Sequence, residues 1–400
     1  MLTRPLAPTP ASRPPPGDGF AAFPASAPRF EATLPGRYFT DPAIFAREQE
    51  RLFGTMWVCV GRSDALPEPG SFLSAEVAGE SLILVRGRDG EIRSFLNVCR
   101  HRGARLCTGP RGQLAGAIQC RYHAWSYGFD GRLLGAPNLA RDERLDRDAL
   151  GLVPVRSEVW EGLLWVNLDP NEPVAAAAAQ VEGPIIDRLG GLETWARYGV
   201  GELAVGRSIS YEVAANWKLI VENFMECYHC GPVHPELVRL LPAFRNGTSY
   251  QGLPGEGTTF ADDVAGFTIS GQAHHPRLPG LRPADDRLYY GFVLWPNVFV
   301  NLLPDHVILH TLIPLAADRS RVVCDWLFPP AEVARPGFDP TDAVDVFDIT
   351  NRQDWEVCEL TQLGMSSRAY AHGGLYVENE LHIAAFRDLV LAKVGEVGGG

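Results

Sequence analysis

The chain has 400 residues, of which 46% are hydrophobic, and carries a formal net charge of −12. This length and apolar content are sufficient for two or three structural units with complete cores. The acidic balance argues against nucleic acid or an anionic membrane as a partner, and no apolar run approaches the ~20 residues that span a bilayer. Because the N-terminus lacks a continuous apolar signal region and the eight cysteines show no disulfide framework, a cytoplasmic protein is predicted.

The first part of the chain predicts three successive kinds of structure. Residues 1–28 contain eight prolines among alanine, glycine and serine, a composition that predicts a disordered tail. Apolar periodicity then predicts a helix from about Pro42 to Phe53. Residues 56–170 predict an all-β unit, because short apolar runs such as 81–86 alternate with turn residues, including two Asp-Gly pairs that favour hairpins.

Two short motifs inside this β-rich unit each pair a cysteine with a histidine. Cys99 and His101 form C-x-H, and Cys120 and His123 form C-x-x-H after a gap of 18 residues. In a Rieske [2Fe–2S] centre two thiolates bind one iron and two imidazoles bind the other, and each motif here supplies one ligand of each kind. Zinc fingers instead group their ligands as C-x₂₋₄-C and H-x₃₋₅-H. The pattern therefore favours a Rieske cluster over a zinc site.

The second half of the chain, residues 171–400, predicts a mixture of helix and strand. The alanine run at 175–179 predicts a helix near the boundary with the β-rich unit. Three apolar runs, at 290–301, 307–313 and 322–328, predict strands of an antiparallel sheet.

A second group of ionisable residues follows this boundary helix. Asn216 can cap a helix that is predicted to run to about His229. Such a helix would place Glu222, Glu226 and His229 on one face, because their spacings are i,i+4 and i,i+3. His234 follows five residues later, beyond a Gly-Pro break. Two histidines and one carboxylate form the facial triad of non-haem Fe(II) oxygenases, which leaves positions open for O₂ and substrate; the neighbouring residues do not identify the carboxylate.

Together the two motifs resemble those of the large (alpha) subunits of Rieske non-haem iron oxygenases, and the resemblance covers nearly everything after the proline-rich tail. The family pattern [D/E]-x₂-H-x₄-H is matched by Glu226, His229 and His234. The resemblance implies that the two histidines bind a mononuclear iron. It also implies that Glu226 bridges this iron to His123 in the Rieske cluster of a neighbouring subunit.

The resemblance implies the fold class as well, which is α+β. An all-β Rieske [2Fe–2S] domain at 56–170 is expected to be inserted in an α+β catalytic domain whose central antiparallel sheet is flanked by helices. Residues 29–55 are then the N-terminal part of the catalytic domain, and 171–400 hold its mononuclear iron. A third iron ligand is implied on a downstream helix, where Asp354 is the predicted ligand and Glu356 the alternative.

The acid at position 226 narrows the resemblance. Better-known ring-hydroxylating dioxygenases have Asp at this position. With Glu226 instead, the sequence resembles the branch of the family that contains glycine betaine demethylases, choline monooxygenases and carnitine oxygenases. That branch implies a monooxygenase that hydroxylates an N-methyl group of a quaternary ammonium compound, which then loses formaldehyde. Hydroxylation of an aromatic compound is the alternative.

A quaternary ammonium ion cannot donate hydrogen bonds, so its usual receptor is an aromatic cage. We expect any cage to draw on the aromatic residues of the catalytic part, and a substrate carboxylate to need a cation or a hydrogen-bond donor. The cage candidates are Tyr228, Tyr289, Tyr290, Phe292, Trp295 and Phe299, and the candidates for the carboxylate are His310, His372 and Arg368.

The resemblance implies a [2Fe–2S] cluster, a mononuclear Fe(II) and O₂ as co-substrate. The sequence shows no flavin or nicotinamide fingerprint and no plant-type ferredoxin motif, so NAD(P)H is expected to act only through a separate flavin/iron–sulfur reductase. Electron transfer between subunits implies a homotrimer. A simple electron carrier fits less well, because roughly 230 residues with a two-histidine motif follow the β-rich unit.

Overall fold

The computed structural model describes residues 30–139, 146–171, 175–247 and 254–395. The tail predicted at 1–28 lies outside these ranges. Two large antiparallel sheets organise the described residues, one of seven strands and one of six. Within the part of the chain that the structure describes, no helix is long and apolar enough to cross a membrane.

The first described segment packs on the C-terminal part of the chain. Strand β1 (Glu31–Ala32) pairs with a strand near the other end, Leu375–Tyr376. Helices α1 (Arg37–Thr40) and α2 (Pro42–Glu48) follow, and a π-helical turn at Gln49–Phe53 extends α2, so the helix predicted here is confirmed. Because α1 and α2 contact helices close to the C-terminus, the β-rich part that comes next is an insertion within the larger unit.

The β-rich part contains ten strands in two sheets. Seven of them are ordered β2-β11-β10-β5-β4-β3-β6 and the other three β7-β8-β9, and the predicted Asp-Gly turns join β4 to β5 and β8 to β9. The strands are β2 (Val58–Arg62), β3 (Ser71–Val77), β4 (Glu80–Arg86), β5 (Ile92–Leu96), β6 (Arg111–Gln113), β7 (Ile118–Gln119), β8 (Ser126–Tyr127), β9 (Leu133–Gly135), β10 (Pro154–Trp160) and β11 (Leu163–Asn167).

Strand β4 explains how this part is attached to the rest. Leu82 and Leu84 join the large core of the C-terminal part, whereas Ile83 and Val85 belong to a separate core that also contains Cys99. Both faces of the strand are therefore buried, which is why its sequence is apolar without alternation. The core beneath the first cysteine motif and the core of the larger unit meet at this strand.

The larger part surrounds a six-stranded antiparallel sheet in the order β12-β17-β16-β15-β14-β13. Its elements are α3 (Ala177–Leu189), α4 (Leu192–Tyr198), β12 (Ala204–Val213), α5 (Trp217–Met225), α6 (Cys230–Val233), α7 (Pro235–Leu240), β13 (Thr258–Thr259), β14 (Leu288–Leu294), β15 (Val298–Leu302), β16 (Val307–Ala316), β17 (Arg319–Phe328), α8 (Pro330–Val333), α9 (Thr341–Met365), β18 (Leu375–Tyr376) and α10 (Ala384–Val394). The remaining helical turns are 3₁₀: Ser63–Ala65, Val200–Glu202, Pro242–Asn246, Pro283–Asp285, Arg368–Tyr370 and Glu378–Ile383.

This sheet separates two apolar layers. Residues such as Phe299 and Trp326 share a core with α5 and α9 on one face, whereas Phe292 and Val300 pack with α3 and α4 on the other. The alternation follows from the period-two geometry of strands. The run predicted as a single strand at 290–301 is a hairpin of β14 and β15. We call the face that carries α5 and α9 the helix-α9 face.

A buried ion pair ties α2 to α5. Lys218 Nζ lies 2.6 Å from Glu48 Oε1, and both side chains have no exposed surface. Trp217 Nε1 donates to the other carboxylate oxygen at 2.8 Å. Burial lowers the pKa of Lys218 while the Glu48 carboxylate opposes that shift, so the lysine depends on its partner to remain charged.

Replacing Glu48 with Gln should therefore destabilise the protein strongly. An unpaired buried charge costs about 3–5 kcal/mol, which we expect as a lower urea midpoint followed by circular dichroism. Glu50→Gln, at an exposed position two residues away, is the matched control and should leave the midpoint unchanged. The double variant Glu48→Gln with Lys218→Met should recover most of the loss, because no buried charge remains; equal loss in the single and double variants would contradict this account.

Candidate functional site

The two cysteine–histidine motifs lie at hairpin tips of the same form. In each tip the amide four residues after the cysteine donates to the cysteine carbonyl: Gly103 N to Cys99 O and Ala124 N to Cys120 O, both at 3.0 Å. Gly103 and Ala124 both have positive φ, at 72° and 57°. Such values reverse the chain sharply and are unusual for alanine. The second tip is held by the pairing of β7 with β8.

The two tips place their sulfur atoms inside and their imidazoles outside. Cys99 and Cys120 are 3% and 2% exposed, whereas His101 and His123 are exposed. The two imidazole rings lie next to each other in an edge-to-face arrangement, with centroids 4.7 Å apart. This donor set fits a [2Fe–2S] cluster whose thiolate-bound iron is buried and whose imidazole-bound iron faces the surface.

Two aromatic side chains support the tips. Trp125 stacks on His101 with centroids 4.9 Å apart and planes 8° from parallel, which fixes the plane of that imidazole. The Tyr127 hydroxyl lies 3.3 Å from Cys99 Sγ and accepts a hydrogen bond from the amide of Arg100 at 3.0 Å. A hydrogen-bond donor to a cluster sulfur raises the reduction potential, so the Tyr127 hydroxyl is positioned to tune it.

The second group is organised by a turn that follows α5. Asn216 caps this helix as predicted. The helix ends at Met225, however, so the prediction that it reaches His229 is wrong. Glu226 is the C-cap in an extended conformation, and its carboxylate accepts hydrogen bonds from two amides of the following turn. Glu226 and His229 therefore meet through this turn, and not because they share a helix face with Glu222.

Three donor atoms converge beyond this turn. His229 Nε2 is 3.1 Å from His234 Nε2, and Asp354 Oδ1 lies 3.2 Å and 2.9 Å from these two nitrogens. Ligands at right angles around a metal with bonds of ~2.1 Å are ~3.0 Å apart. The three atoms thus have the mutual spacing of one face of an octahedron and could hold a metal ion with the opposite face open. Glu356, the alternative third ligand, is exposed to solvent.

The outer nitrogens of both histidines have acceptors as partners. His229 Nδ1 lies 2.5 Å from Glu226 Oε1, and His234 Nδ1 lies 2.7 Å from Gln353 Oε1. Because these oxygens accept hydrogen bonds, each Nδ1 carries the proton. When both imidazoles are neutral, as metal binding requires, the lone pair of each Nε2 is directed at the shared metal position.

Negative charge surrounds this position. Burial alone would lower the pKa of His229, but Asp354 and Glu226 raise it to about 10. Burial would likewise raise the pKa of Asp354, but the imidazoles of His229 and His234 lower it to about 2. Both shifts arise because buried carboxylates stabilise positive charge between them. The same field favours a divalent cation.

A disulfide closes the turn that carries His229. Cys227 and Cys230 are bonded to each other, so the expectation of no disulfide is wrong for this pair, and the C-x-x-C spacing was a signal that could have revealed it. Cys230 Sγ lies within 4.8 Å of a ring nitrogen of His229 and of His234. Because this sulfur is in a disulfide, the nearer oxygen of Asp354 is the better third ligand.

Two of the predicted substrate residues lie together on the helix-α9 face. Phe299 stacks on Phe224 with centroids 4.4 Å apart, and His310 lies 5.8 Å from the ring of Phe347. His310 Nε2 is 3.0 Å from Asn351 Oδ1. Burial lowers the pKa of His310 to about 4, so its imidazole is neutral near pH 7. Asn351 was missed from the sequence, although its position one helical turn before the predicted iron ligand could have revealed it.

The other predicted cage residues are not assembled with this pair. Tyr289 is on the helix-α9 face but donates to Asn301 at 2.6 Å. Tyr290 and Phe292 belong to the opposite layer, and Phe292 packs edge-on against Trp195. The sheet therefore separates these two rings from the proposed iron ligands.

The remaining candidates are dispersed. Trp295 lies in the turn between β14 and β15 and stacks on Phe386 at 5.3 Å. Tyr228 is 58% exposed, and His372 and Arg368 are exposed as well. Sequence position alone did not reveal these orientations.

Comparison with known proteins identifies a family for each of the two parts of the chain. The family described as "Rieske [2Fe-2S] domain" matches residues 56–155, and "Ring hydroxylating alpha subunit (catalytic domain)" matches 200–396. The chain is 31% identical over 387 residues to the glycine betaine monooxygenase oxygenase subunit of Chromohalobacter salexigens, with 89% of this chain and 84% of the relative covered. It is also 31% identical over 347 residues to the carnitine monooxygenase oxygenase subunit of Escherichia coli K12, with 86% of each covered.

A solved structure shows the same architecture. The crystal structure of the quaternary ammonium Rieske monooxygenase CntA in complex with L-carnitine matches with a TM-score of 0.70 and 26% identity, over 92% of this chain and 97% of that one.

The fold and the two matched domains define an iron-dependent oxidoreductase with a Rieske domain and a catalytic domain. The chain belongs to the Rieske non-haem iron oxygenases and corresponds to their oxygenase (alpha) subunit. The family and the α+β fold expected from the sequence are confirmed. The cofactors of this enzyme class are a [2Fe–2S] cluster and a mononuclear iron, which supplies the activation of O₂; the protein fixes the geometry in which that chemistry occurs.

Replacing Asp354 with Ala should empty the mononuclear site and spare the cluster. A triad that loses its only carboxylate should bind iron at least about 100-fold more weakly, so we expect total iron to fall by one third while the visible spectrum of the cluster persists. Glu356→Ala, two residues away on the same helix, is the control. Loss of iron in Glu356→Ala with retention in Asp354→Ala would reverse the assignment.

Proposed function

We propose that the chain is the terminal oxygenase of a multicomponent monooxygenase that hydroxylates an N-methyl group of a small quaternary ammonium or betaine-type compound. The observation that carries this proposal is the similarity, over nearly the whole chain, to subunits named for glycine betaine and carnitine. In this proposal residues 56–170 form the Rieske domain, and 29–55 with 171–400 form the catalytic domain. The enzyme acts in the cytoplasm on electrons from a separate flavin/iron–sulfur reductase.

The surroundings of His310 support a cationic substrate. The imidazole is neutral near pH 7 because burial lowers its pKa to about 4, so it would not repel an ammonium group. The rings of Phe224, Phe299 and Phe347 lie 5.8–6.2 Å from it, and aromatic faces attract cations without needing hydrogen bonds. The Asp354 carboxylate acts on the same imidazole through space and adds negative potential. Phe299 and His310 are therefore the substrate residues that we retain.

The substrate class can be tested with purified protein, a matched reductase and NADH. We expect formaldehyde release with glycine betaine, choline or carnitine, and no turnover with NADH when the reductase is omitted. Phe299→Ala should raise the KM for the active compound by about tenfold, since one desolvated cation–aromatic contact contributes about 1–2 kcal/mol. Phe292→Ala, in the opposite layer, is the matched control. A ring-hydroxylated product from an aromatic acid without formaldehyde would favour the alternative function.

The electron route is proposed to cross between subunits, from His123 of one copy to Glu226 of the next. Both cluster histidines are exposed. Among the described residues, no hydrogen bond, ion pair or ring contact joins them to Glu226 or His229 of the same chain. His123 is exposed, which suits the donor end of such a route. Glu226 accepts a hydrogen bond from His229 Nδ1, which suits the end next to the iron.

Charge supports the same arrangement. Between Cys99 and His123 the sequence contains five arginines and no acidic residue, whereas the segment from Glu222 to Glu236 contains three glutamates and no lysine or arginine. The exposed arginines of the cluster tips can thus face the partly buried carboxylates of the iron-site segment. Repetition of this contact leads to the proposed homotrimer, whose mass by light scattering should be three times the 43.8 kDa of one chain.

Replacing Glu226 with Gln should retain both metals but lower coupled turnover by about 10–100-fold, because a hydrogen-bonded carboxylate next to a ligating histidine is lost. Iron content and the cluster spectrum report the metals, and formaldehyde release reports turnover. Glu356→Gln serves as the exposed control. Full activity in Glu226→Gln would refute the bridging role.

The crossing itself can be tested by complementation. A variant without the cluster, Cys120→Ser, and a variant without the mononuclear iron, His229→Ala, should each be inactive alone. Mixed oligomers from co-expression should recover activity, because an intact cluster then faces an intact iron site across a boundary. Absence of recovery in demonstrably mixed oligomers would favour transfer within one chain.

A further inference from the structure

The disulfide beside the iron site has no part in the ligand set or the electron route described above. Cys227 and Cys230 are 5% and 2% exposed, and the pair flanks His229 on both sides in the sequence. The other six cysteines, all of which lie within the described ranges, are free. The chain therefore places its single observed disulfide next to two proposed iron ligands.

We propose that Cys227 and Cys230 form a redox-responsive pair, and that after reduction Cys230 Sγ binds the mononuclear metal as a fourth protein ligand. The proposal rests on the proposed iron site. It concerns how many coordination positions of the metal are filled by protein ligands, and not which substrate is oxidised.

The distances support this role. Cys230 Sγ lies within 4.8 Å of a ring nitrogen of His229 and of His234. Two ligand atoms on opposite sides of a metal, with bonds of ~2.1 Å to nitrogen and ~2.3 Å to sulfur, are ~4.4 Å apart. The sulfur thus lies beside the two histidine ligands, and a shift towards the metal position would let it coordinate. A rotation of the cysteine side chain supplies such a shift, and the bond to Cys227 prevents it.

The local backbone keeps the sulfur near the metal position in either state. Cys230 begins the one-turn helix α6, and the amide of His234 donates to Cys230 O at 2.9 Å. The cysteine and the ligand His234 are therefore linked by a backbone hydrogen bond as well as by sequence. Opening the disulfide frees the side chain and leaves this helical turn closed.

The chemistry is thiol–disulfide exchange with a dithiol reductant. One thiolate of the reductant attacks a sulfur of the pair and forms a mixed disulfide, which the second thiol resolves. Two electrons and two protons pass to the protein, which gains two thiols, and the reductant becomes a disulfide. When Cys230 then binds the metal, its thiol proton is released to solvent.

The consequence is a change in the character of the site. The facial triad fills three coordination positions of an octahedral metal and leaves the other three open. A fourth, thiolate ligand occupies one of them and shifts the preference towards softer metals such as Zn²⁺. The thiol state of the pair therefore sets both the number of open positions and the metal selectivity.

Zinc absorption spectroscopy tests this on the full chain, because the zinc edge is blind to the iron of the cluster. Protein emptied at the mononuclear site is loaded with Zn²⁺ before or after dithiothreitol treatment and gel filtration without oxygen. We expect nitrogen and oxygen neighbours only in the untreated protein, and one sulfur at ~2.3 Å in the reduced protein. Zn²⁺ affinity, measured by competition with a chromophoric chelator, should rise by at least about tenfold on reduction.

Two variants make the result specific. Cys227→Ser cannot form the disulfide and should show the sulfur neighbour without any reductant. Cys230→Ser should show none in either state, which also excludes sulfur from residual dithiothreitol. Alkylation followed by mass spectrometry reports the disulfide itself.

Three outcomes would overturn the proposal: full alkylation of both cysteines in untreated protein, no zinc–sulfur neighbour once alkylation shows the disulfide open, or a sulfur neighbour that persists in Cys230→Ser. None of them would affect the proposed demethylation, which is decided by formaldehyde release. Failure of that function would in turn leave the zinc experiment interpretable.

Discussion

The site depends on the packing of α9 against α5, because the donor atoms come from segments about 120 residues apart in the chain. Asp354 must reach the two histidines to within 3.2 Å, although no local sequence feature links them. Hydrogen bonds set the register between α9 and the segment that leads into α5. Glu359 accepts from the amide of Ala214, and Gln362 accepts from the amide of Asn216, both at 2.9 Å. These two bonds lie one and two turns beyond Asp354 on α9. A slip of α9 by one residue would break both and rotate the carboxylate by about 100° around the helix axis.

Environment determines charge within this framework, and it does so differently at neighbouring histidines. His229 is surrounded by two carboxylates, so positive charge there is stabilised despite burial. His310 faces phenyl rings and the amide of Asn351, so burial dominates and the imidazole is neutral. The helix-α9 face thus contains a position whose three ligand atoms suit a metal ion. Next to it lies a neutral group of aromatic side chains around His310. Under the proposed function, this contrast lets a metal and a substrate cation occupy adjacent places without competing for the same groups.

Local patterns predicted what depends on neighbours in sequence. The cysteine–histidine motifs, the Asp-Gly turns and the cap at Asn216 each act within a few residues, and the structure contains them as expected. The predicted end of α5 was wrong because Gly231-Pro232 is the first helix-breaking pair after Asn216 in the sequence. The helix stops earlier because the Glu226 carboxylate accepts hydrogen bonds from amides of the next turn. The orientation of Phe292 could not be predicted, because a strand buried on both faces has no polar alternation to show which side faces which layer. The C-x-x-C spacing of Cys227 and Cys230 permits a disulfide, and the turn that follows the end of α5 brings the two residues together.

The two metal centres also constrain how copies can assemble under the proposed electron route. A contact between the cluster surface of one copy and the iron-site surface of another joins two different patches, so it is heterologous. Repetition of such a contact produces either an open filament or a closed ring. In a filament the terminal copies hold one cluster without an acceptor and one iron without a donor. In a ring every cluster faces an iron, and each chain both donates and receives electrons. Every copy has both ends of the route, because His123 is exposed and Glu226 is hydrogen-bonded to His229. Closure into a ring is therefore the arrangement in which every cluster has an acceptor and every iron has a donor.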